Sequence, residues 1–210
     1  MLQTQTVEPG TLSLLKKVME DSNLIDFNLV GGTALSLLYG HRKSIDLDLF
    51  CNSKFDTTQL NNYVSKSFND VLVEEKPAFF GLFCFIDEVK VDFVKYPHDR
   101  IRDLLVIDGI RMYSNEDIIA MKIQAILGRA KKKDFWDIAE LLNHYSVPEF
   151  IQFHREKFST QNLLITVPQA MTYFDDAEED EDPISLKGQT WESVKEVIRE
   201  KVRSFLKKEN

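Results

Sequence analysis

Asp46 and Asp48 stand in the run Ser44-Ile45-Asp46-Leu47-Asp48-Leu49-Phe50, a strict polar–apolar alternation of the kind a half-buried strand requires. Residues two apart on a strand share a face. Both carboxylates therefore point one way, with Cα atoms about 6.6 Å apart, while Ile45, Leu47 and Leu49 take the other side. Two carboxylates crowded beside a core need a divalent cation or a raised pKa. Upstream, Gly31-Gly32-Thr33 ends the short apolar run Phe27–Val30 and leads into a helix-forming segment, Thr33–Tyr39. Backbone N–H groups at such a bend, and the helix N-terminus after it, suit a phosphate. A D-x-D alone is usually a solvated face, and a lone diglycine is a turn. Their spacing on strand, turn, helix and strand is what a Mg²⁺–nucleotide requires.

Further candidates lie downstream. Asp92, in Lys90-Val91-Asp92-Phe93-Val94, sits in a second alternating strand and supplies a third carboxylate; its plainer reading is an edge strand's solvent face shared with Lys90. On a helix beginning near Asn115, Lys122 falls within the apolar stripe of Ile119, Ile123 and Ile126. A lysine there snorkels to the rim or is held by an anion. Asp134 and Asp137 are one helical turn apart, either dipole stabilisers of a first turn or part of the site. Lys131, Lys132 and Lys133, with Arg129, form a local basic concentration. His41, His98, His144 and His154 are too scattered for metal-ligand spacing. A nucleophile elbow, a Walker lysine and the third glycine of a dinucleotide fingerprint are missing.

The elements that must position these residues follow from hydrophobic period. The spacing predicts helices over 9–21, 33–39, 57–68, 114–127, 133–143, 148–158, 161–174 and 191–206. Strands are expected over 27–30, 44–50, 71–75, 79–86, 89–95 and 110–113, with Pro77 and Asp87-Glu88 as breaks. The fold class is α+β: a small mixed β-sheet core flanked by helices in 1–113, then an all-helical region in 114–210 with an acidic loop at 175–188.

With 43% hydrophobic and 29% charged residues, the 210-residue chain has the composition of a globular protein. No run approaches the roughly 18 apolar residues of a membrane span, and Met1–Thr6 carries no signal-peptide pattern, so a cytoplasmic protein is expected. Cys51 and Cys84 sit among apolar residues and read as buried free thiols. The seven acids of Asp175–Asp182 account for all but one of the eight net negative charges, so the body is nearly neutral and a phosphate-bearing substrate is permitted.

Assembled, the motifs Leu29-Val30-Gly31-Gly32-Thr33-Ala34-Leu35, His41 to Phe50, Val91-Asp92-Phe93, Met121 to Ile126 and Arg129 to Asp137 resemble the AbiEii/AbiGii toxin family of nucleotidyltransferases, within the DNA polymerase β-like superfamily. The resemblance implies transfer of a nucleoside monophosphate from an NTP to an acceptor, RNA such as tRNA or protein, with Mg²⁺. It also implies a toxin paired with a cognate antitoxin in phage defence. Asp46 and Asp48 would bind the metal, and Asp92 would help bind a second metal or activate the acceptor hydroxyl. Backbone at Gly31, Gly32 and Thr33, with the Thr33 hydroxyl, would hold phosphates, with Arg42 and Ser44 as further contacts. Lys122 would offset phosphate charge, and Asp134 and Asp137 would orient it or contact the nucleotide. Two alternatives are a non-catalytic nucleotide-binding module on the same fold and an interaction protein that docks a basic partner through its acidic segment.

Overall fold

The structure, a computed structural model, describes residues 1–74 and 81–209. The chain forms two compact units. One comprises Met1–Leu38, Ser44–Asp99 and Leu104–Tyr113; the other comprises Tyr39–Lys43, Arg100–Asp103 and Ser114–Asn210. The predicted positions Glu75, Pro77, Phe79 and Phe80 lie outside the described residues.

The first unit carries a seven-stranded mixed sheet among the described residues, with order β3-β4-β5-β2-β1-β7-β6. The strands are β1 (Asn28–Leu29), β2 (Leu47–Cys51), β3 (Val71–Val73), β4 (Gly81–Ile86), β5 (Val89–Lys95), β6 (Leu105–Ile107) and β7 (Ile110–Met112). β2 runs parallel to β5 and antiparallel to β1, while β1 runs parallel to β7. Val91 and Phe93 are fully buried on one side of β5, as the alternation requires, leaving Asp92 on the other. Asp87 and Glu88 both take positive φ and join β4 to β5, the backbone of a two-residue hairpin turn.

Helices α1 (Pro9–Glu20), α2 (Gly31–Tyr39) and α3 (Thr57–Ser67) accompany the sheet. α1 starts with Pro at its first position and buries Leu14, Leu15, Val18 and Met19. Asp56 caps α3 by accepting from the Gln59 N–H.

Three expectations change here. α2 begins at Gly31, so the diglycine is the helix's first turn rather than a bend before it. β2 begins at Leu47, which leaves Ile45 66% exposed instead of packed, with Asp46 at the strand's entrance. Leu105–Ile107, which the apolar pattern does not single out, forms an edge strand paired to β7.

The second unit is helical: α4 (Asn115–Gly128), α5 (Lys132–Leu141), α6 (Val147–Lys157), α7 (Val167–Thr172) and α8 (Trp191–Glu209). The helix expected over 161–174 shrinks to α7, because Thr166 forms a capping box with Gln169 and Pro168 fits the first turn. Trp136 of α5 stacks on Trp191 of α8 with ring centroids 5.8 Å apart, and Phe135 and Phe174 meet the same indole at its edges. Ser114 caps α4 by accepting from the Asp117 N–H. Asp117 is buried and takes Lys157 Nζ at 2.6 Å and the backbone N–H groups of Ile101 and Arg102, which fastens segment 100–103 to this unit.

The acidic segment is tied inward. Glu178 accepts from Trp191 Nε1 and Lys195 Nζ, each at 2.9 Å. Asp180 accepts from the Lys132 backbone N–H at 3.1 Å, and Asp182 pairs with Lys132 Nζ at 3.0 Å. Just beyond it, the chain bridges to segment 41–43: Lys43 N–H donates to Ile184 O, and Leu186 N–H donates to His41 O. Among the described residues no helix is long and apolar enough to cross a membrane.

Candidate active site

In the sheet unit, the carboxylates from β2 and β5 meet. Asp48 stands opposite Asp92 in the parallel register, and neighbouring strands lie about 4.8 Å apart. Opposed residues share a face of the sheet, so both side chains leave on the side away from buried Leu47, Leu49, Val91 and Phe93. Asp46 precedes the ladder, whose first pair is Leu47 with Val91.

Lys90 donates from Nζ to Asp92 Oδ2 at 3.1 Å, with the two side chains 33% and 15% exposed. Partial burial alone would lower the Lys90 ammonium. The hydrogen bond and charge of Asp92, with the charges of Asp46 and Asp48, outweigh it and raise the group above the ordinary lysine value. Asp92 Oδ1 is buried with no hydrogen-bond partner.

The glycines at the start of α2 abut this cluster. Gly31 adopts φ +70°, and a Cβ placed there would lie 2.7 Å from Asp48 Oδ2. The Val30 N–H donates to Asp48 O at 2.9 Å, fixing β2 against the helix start. Thr33 is buried, and its hydroxyl donates to Asp46 O while lying 2.8 Å from Ser44 Oγ. The single hydroxyl proton of Thr33 therefore goes to backbone, and Ser44 is the donor to Thr33. Thr33 and Ser44 thus tie the start of α2 to the segment that carries Asp46.

The other predicted residues lie in the helical unit and form a network of their own. Lys122 is held at 2.8 Å by Asp134 Oδ1 and at 2.6 Å by Asp137 Oδ2. Arg42 grips Asp137 in bidentate fashion, Nε to Oδ1 at 2.7 Å and Nη2 to Oδ2 at 2.9 Å. Arg129 adds a longer pair to Asp134, 3.3 Å. Burial would raise Asp137, yet Arg42 and Lys122 beside it hold its carboxyl well below the usual range. Burial would likewise lower Lys122, and Asp134 and Asp137 raise it instead. The anion that holds this buried lysine is thus supplied by the protein.

One participant escapes the sequence-based reading. His41, set aside for lack of metal-ligand spacing, is fully buried with Nε2 2.7 Å from Asp137 Oδ1. Nothing in the sequence marks it apart from its place beside Arg42. Lys90 was legible, since it shares a strand face with Asp92 two residues on.

The donor set fits a hard divalent cation in kind: carboxylate oxygens on one sheet face, one of them an orphaned buried acceptor. As the side chains stand, however, no group of three or more His, Cys, Asp or Glu among the described residues is ready to hold a metal ion.

Comparison with known proteins agrees with this architecture. The family model described as the nucleotidyl transferase AbiEii toxin of a type IV toxin–antitoxin system matches residues 14–208. An uncharacterized protein of Aquifex aeolicus (strain VF5) is 31% identical over 207 residues, covering 91% of this chain and 94% of its own. Among solved structures, JHP933 from Helicobacter pylori is 21% identical, with a TM-score of 0.59 over 96% of this chain and 94% of that one. MenT4, a nucleotidyltransferase toxin from Mycobacterium tuberculosis H37Rv, is 11% identical, with a TM-score of 0.58 over 91% and 81%. These two likenesses concern the fold. With nearly its whole length matched by the family model, the chain belongs to the AbiEii nucleotidyl transferase toxin family and is a transferase of that class.

Proposed function

We propose that the protein transfers a nucleoside monophosphate from an Mg²⁺–NTP to a hydroxyl of an RNA or protein acceptor, at the carboxylate cluster of β2 and β5. The observation that carries this reading is the opposition of Asp48 and Asp92 on parallel strands beside the Gly31 turn. Asp46 and Asp48 would hold Mg²⁺, with Asp92 as the third oxygen donor or the base. When bound, the metal offsets the charge of the triphosphate and of the departing pyrophosphate. Backbone N–H groups at Gly32 and Thr33 bind phosphate oxygens. The acceptor oxygen forms a bond to the α-phosphorus, its proton passes to Asp92, and the bond to the bridging oxygen breaks to release pyrophosphate.

Arg42, Lys122, Asp134 and Asp137 enter this reading through the chain itself. Their network anchors segment 41–43, which runs directly into Ser44 and Asp46. A toxin role with a cognate antitoxin belongs to the same proposal and rests on the family description.

The reading is tested by incubating the protein with each α-labelled NTP and total cellular RNA and protein. Label should appear on one acceptor class and vanish with Asp48→Ala, whose circular dichroism stays that of the parent. Labelling that survives this substitution overturns the reading, as does Mg²⁺-independent NTP binding without transfer, which the non-catalytic module predicts.

A further inference from the structure

Two hydroxyls beside the carboxylate cluster are buried, Thr33 at 1% and Ser44 at 9% exposure. A hydroxyl taken out of water must be bonded, and a directional pair satisfies both. Ser44 Oγ donates to Thr33 Oγ1 across 2.8 Å, and Thr33 passes its own proton to the Asp46 carbonyl. The relay therefore ends on the backbone of a candidate metal ligand. Asp46 stands one residue before the first pair of the β2–β5 ladder, and its neighbour Ile45 is 66% exposed. Packing of residue 45 contributes little to fixing the backbone there, whereas the Thr33 hydroxyl grips it directly.

The other end of the relay is braced as well. Ser44 N–H donates to Thr6 O at 2.9 Å. Thr6 is fully buried and closes a short 3-10 turn, Thr4–Thr6; its N–H and its hydroxyl both donate to Gln3 O, at 3.1 and 2.8 Å. Gln3 N–H donates at 2.7 Å to Leu37 O, in the last turn of α2, and the buried side chains of Leu2 and Val7 flank the turn. Helix α2 thus reaches segment 44–46 twice, from its first turn through Thr33 and from its last through residues 3–6.

We propose that Thr33 and Ser44 act through their hydroxyls as positioning residues for Asp46, with residues 3–6 bracing them from behind, so that this carboxylate and the start of α2 are held as one body. This rests on the nucleotidyl-transfer reading and deepens it. In that reading Asp46 holds the metal, and the N–H groups at the start of α2 hold the phosphates that the metal bridges. A shift between the two would part metal from phosphate, and a misplacement of about 1 Å can cost on the order of a hundredfold in rate. The same helix start lies against the second carboxylate of β2, since a Cβ at Gly31 would fall 2.7 Å from Asp48 Oδ2.

The test compares the full chain with Thr33→Val, which keeps the shape and removes the donor, with Thr33→Ser, which keeps the donor, and with Ser44→Ala. Three quantities are read: the urea midpoint, Mn²⁺ binding without nucleotide from the electron paramagnetic resonance signal of the free ion, and kcat and KM for the labelled NTP. Thr33→Val should lose about tenfold in both kcat and Mn²⁺ affinity, the lower end of what removing a support of a metal ligand costs. Its KM for the NTP should stay within about twofold of the parent. Thr33→Ser should recover most of both losses. Ser44→Ala should move the same two quantities in the same direction by a smaller factor, and should add nothing to Thr33→Val, because the relay is already cut.

A raised KM with unchanged Mn²⁺ binding in Thr33→Val means that the hydroxyl meets phosphate itself, and overturns the positioning role. A lowered urea midpoint with parental kcat and Mn²⁺ binding means a purely structural tie, and overturns it too. If Thr33→Val does not fold, Ser44→Ala decides, and parental kcat and Mn²⁺ binding in that variant overturn the relay. Asp46→Asn separates the two readings. Impaired labelling and Mn²⁺ binding there leave the transferase reading standing when the relay fails; parental behaviour there, or no Mn²⁺ binding by the parent, overturns both.

Discussion

A Cβ at position 31 would fall 2.7 Å from Asp48 Oδ2, so the carboxylate from β2 lies where only a glycine leaves room. The backbone makes the same demand, because φ at Gly31 is +70°, a region side chains rarely adopt. Gly31→Ala should therefore act twice. The strained backbone costs about 1 kcal/mol or more of stability, seen as a lower urea midpoint. The displaced Asp48 carboxylate should lower the labelling rate at least tenfold, well beyond what the stability change removes. A variant with parental activity would show that the contact between residue 31 and Asp48 does not matter to the site.

Asp137 is the centre of the helical unit's charges, shared by His41, Arg42 and Lys122. Its removal takes one of two carboxylates from Lys122 and a bidentate partner from Arg42. Asp137→Ala should cost roughly 3–5 kcal/mol of unfolding free energy, the range typical when one partner of a buried pair is lost. Removing Lys122 as well should recover part of that loss, because Lys122→Met takes away one of the buried cations that Asp137 offsets. A double variant as unstable as the single one, in urea unfolding, would argue that Lys122 is not coupled to Asp137.

The same pair predicts a pH profile. Asp137 has a folded pKa held below the ordinary 3.8, so its contribution is complete above that value and is lost as pH falls toward the folded one. Lys122 has a folded pKa raised above 10.5, so its contribution is complete below 10.5 and is lost as pH rises through the folded value. Urea unfolding across pH should show both losses in the parent, and a shallower acid limb in Asp137→Asn.

Much of this was legible in the residues. The alternation around Asp46, Asp48 and Asp92 needs only the two-residue period of a strand, and the apolar stripe of α4 already makes Lys122 anomalous. What the pattern hides is pairing. Ile45 reads as a core residue, yet the ladder with β5 begins only at Leu47, and one residue outside a ladder loses its reason to be buried. β6 is a three-residue edge strand too short for a periodic signal. Its turn was nonetheless written in the sequence, since Asp108-Gly109 with both φ positive is a strong hairpin dipeptide. The partners of Lys122, 12 and 15 residues away, and of Arg42, 95 away, depend on tertiary packing. His41 depends on it entirely.

Burial sets the reactivity of the two thiols. Burial first, then the charges of Asp92 and Glu74, push Cys84 up to about 12, and burial followed by Asp26 pushes Cys51 up to about 11. At pH 8 neither thiol has an appreciable thiolate fraction, so a disulfide-exchange reagent should modify neither in the folded protein and both after unfolding. Rapid modification of Cys84 in native buffer would mean that β4 opens far more readily than its pairing with β3 and β5 implies.

The acidic segment yields the last prediction. Asp180 accepts from the Lys132 N–H at the start of α5, and Asp182 meets the ammonium of the same lysine, so part of this charge caps a helix instead of awaiting a partner. Asp180→Ala should cost about 1 kcal/mol, the usual loss of a helix cap, with the effect reduced by salt. Among the described residues, the exposed side chains of Glu179 and Glu181 have no hydrogen-bond or ion-pair partner. Glu179→Gln together with Glu181→Gln should leave stability unchanged. A stability loss in that pair as large as in Asp180→Ala would mean that the segment acts through its total charge, and the specific cap at α5 would lose its support.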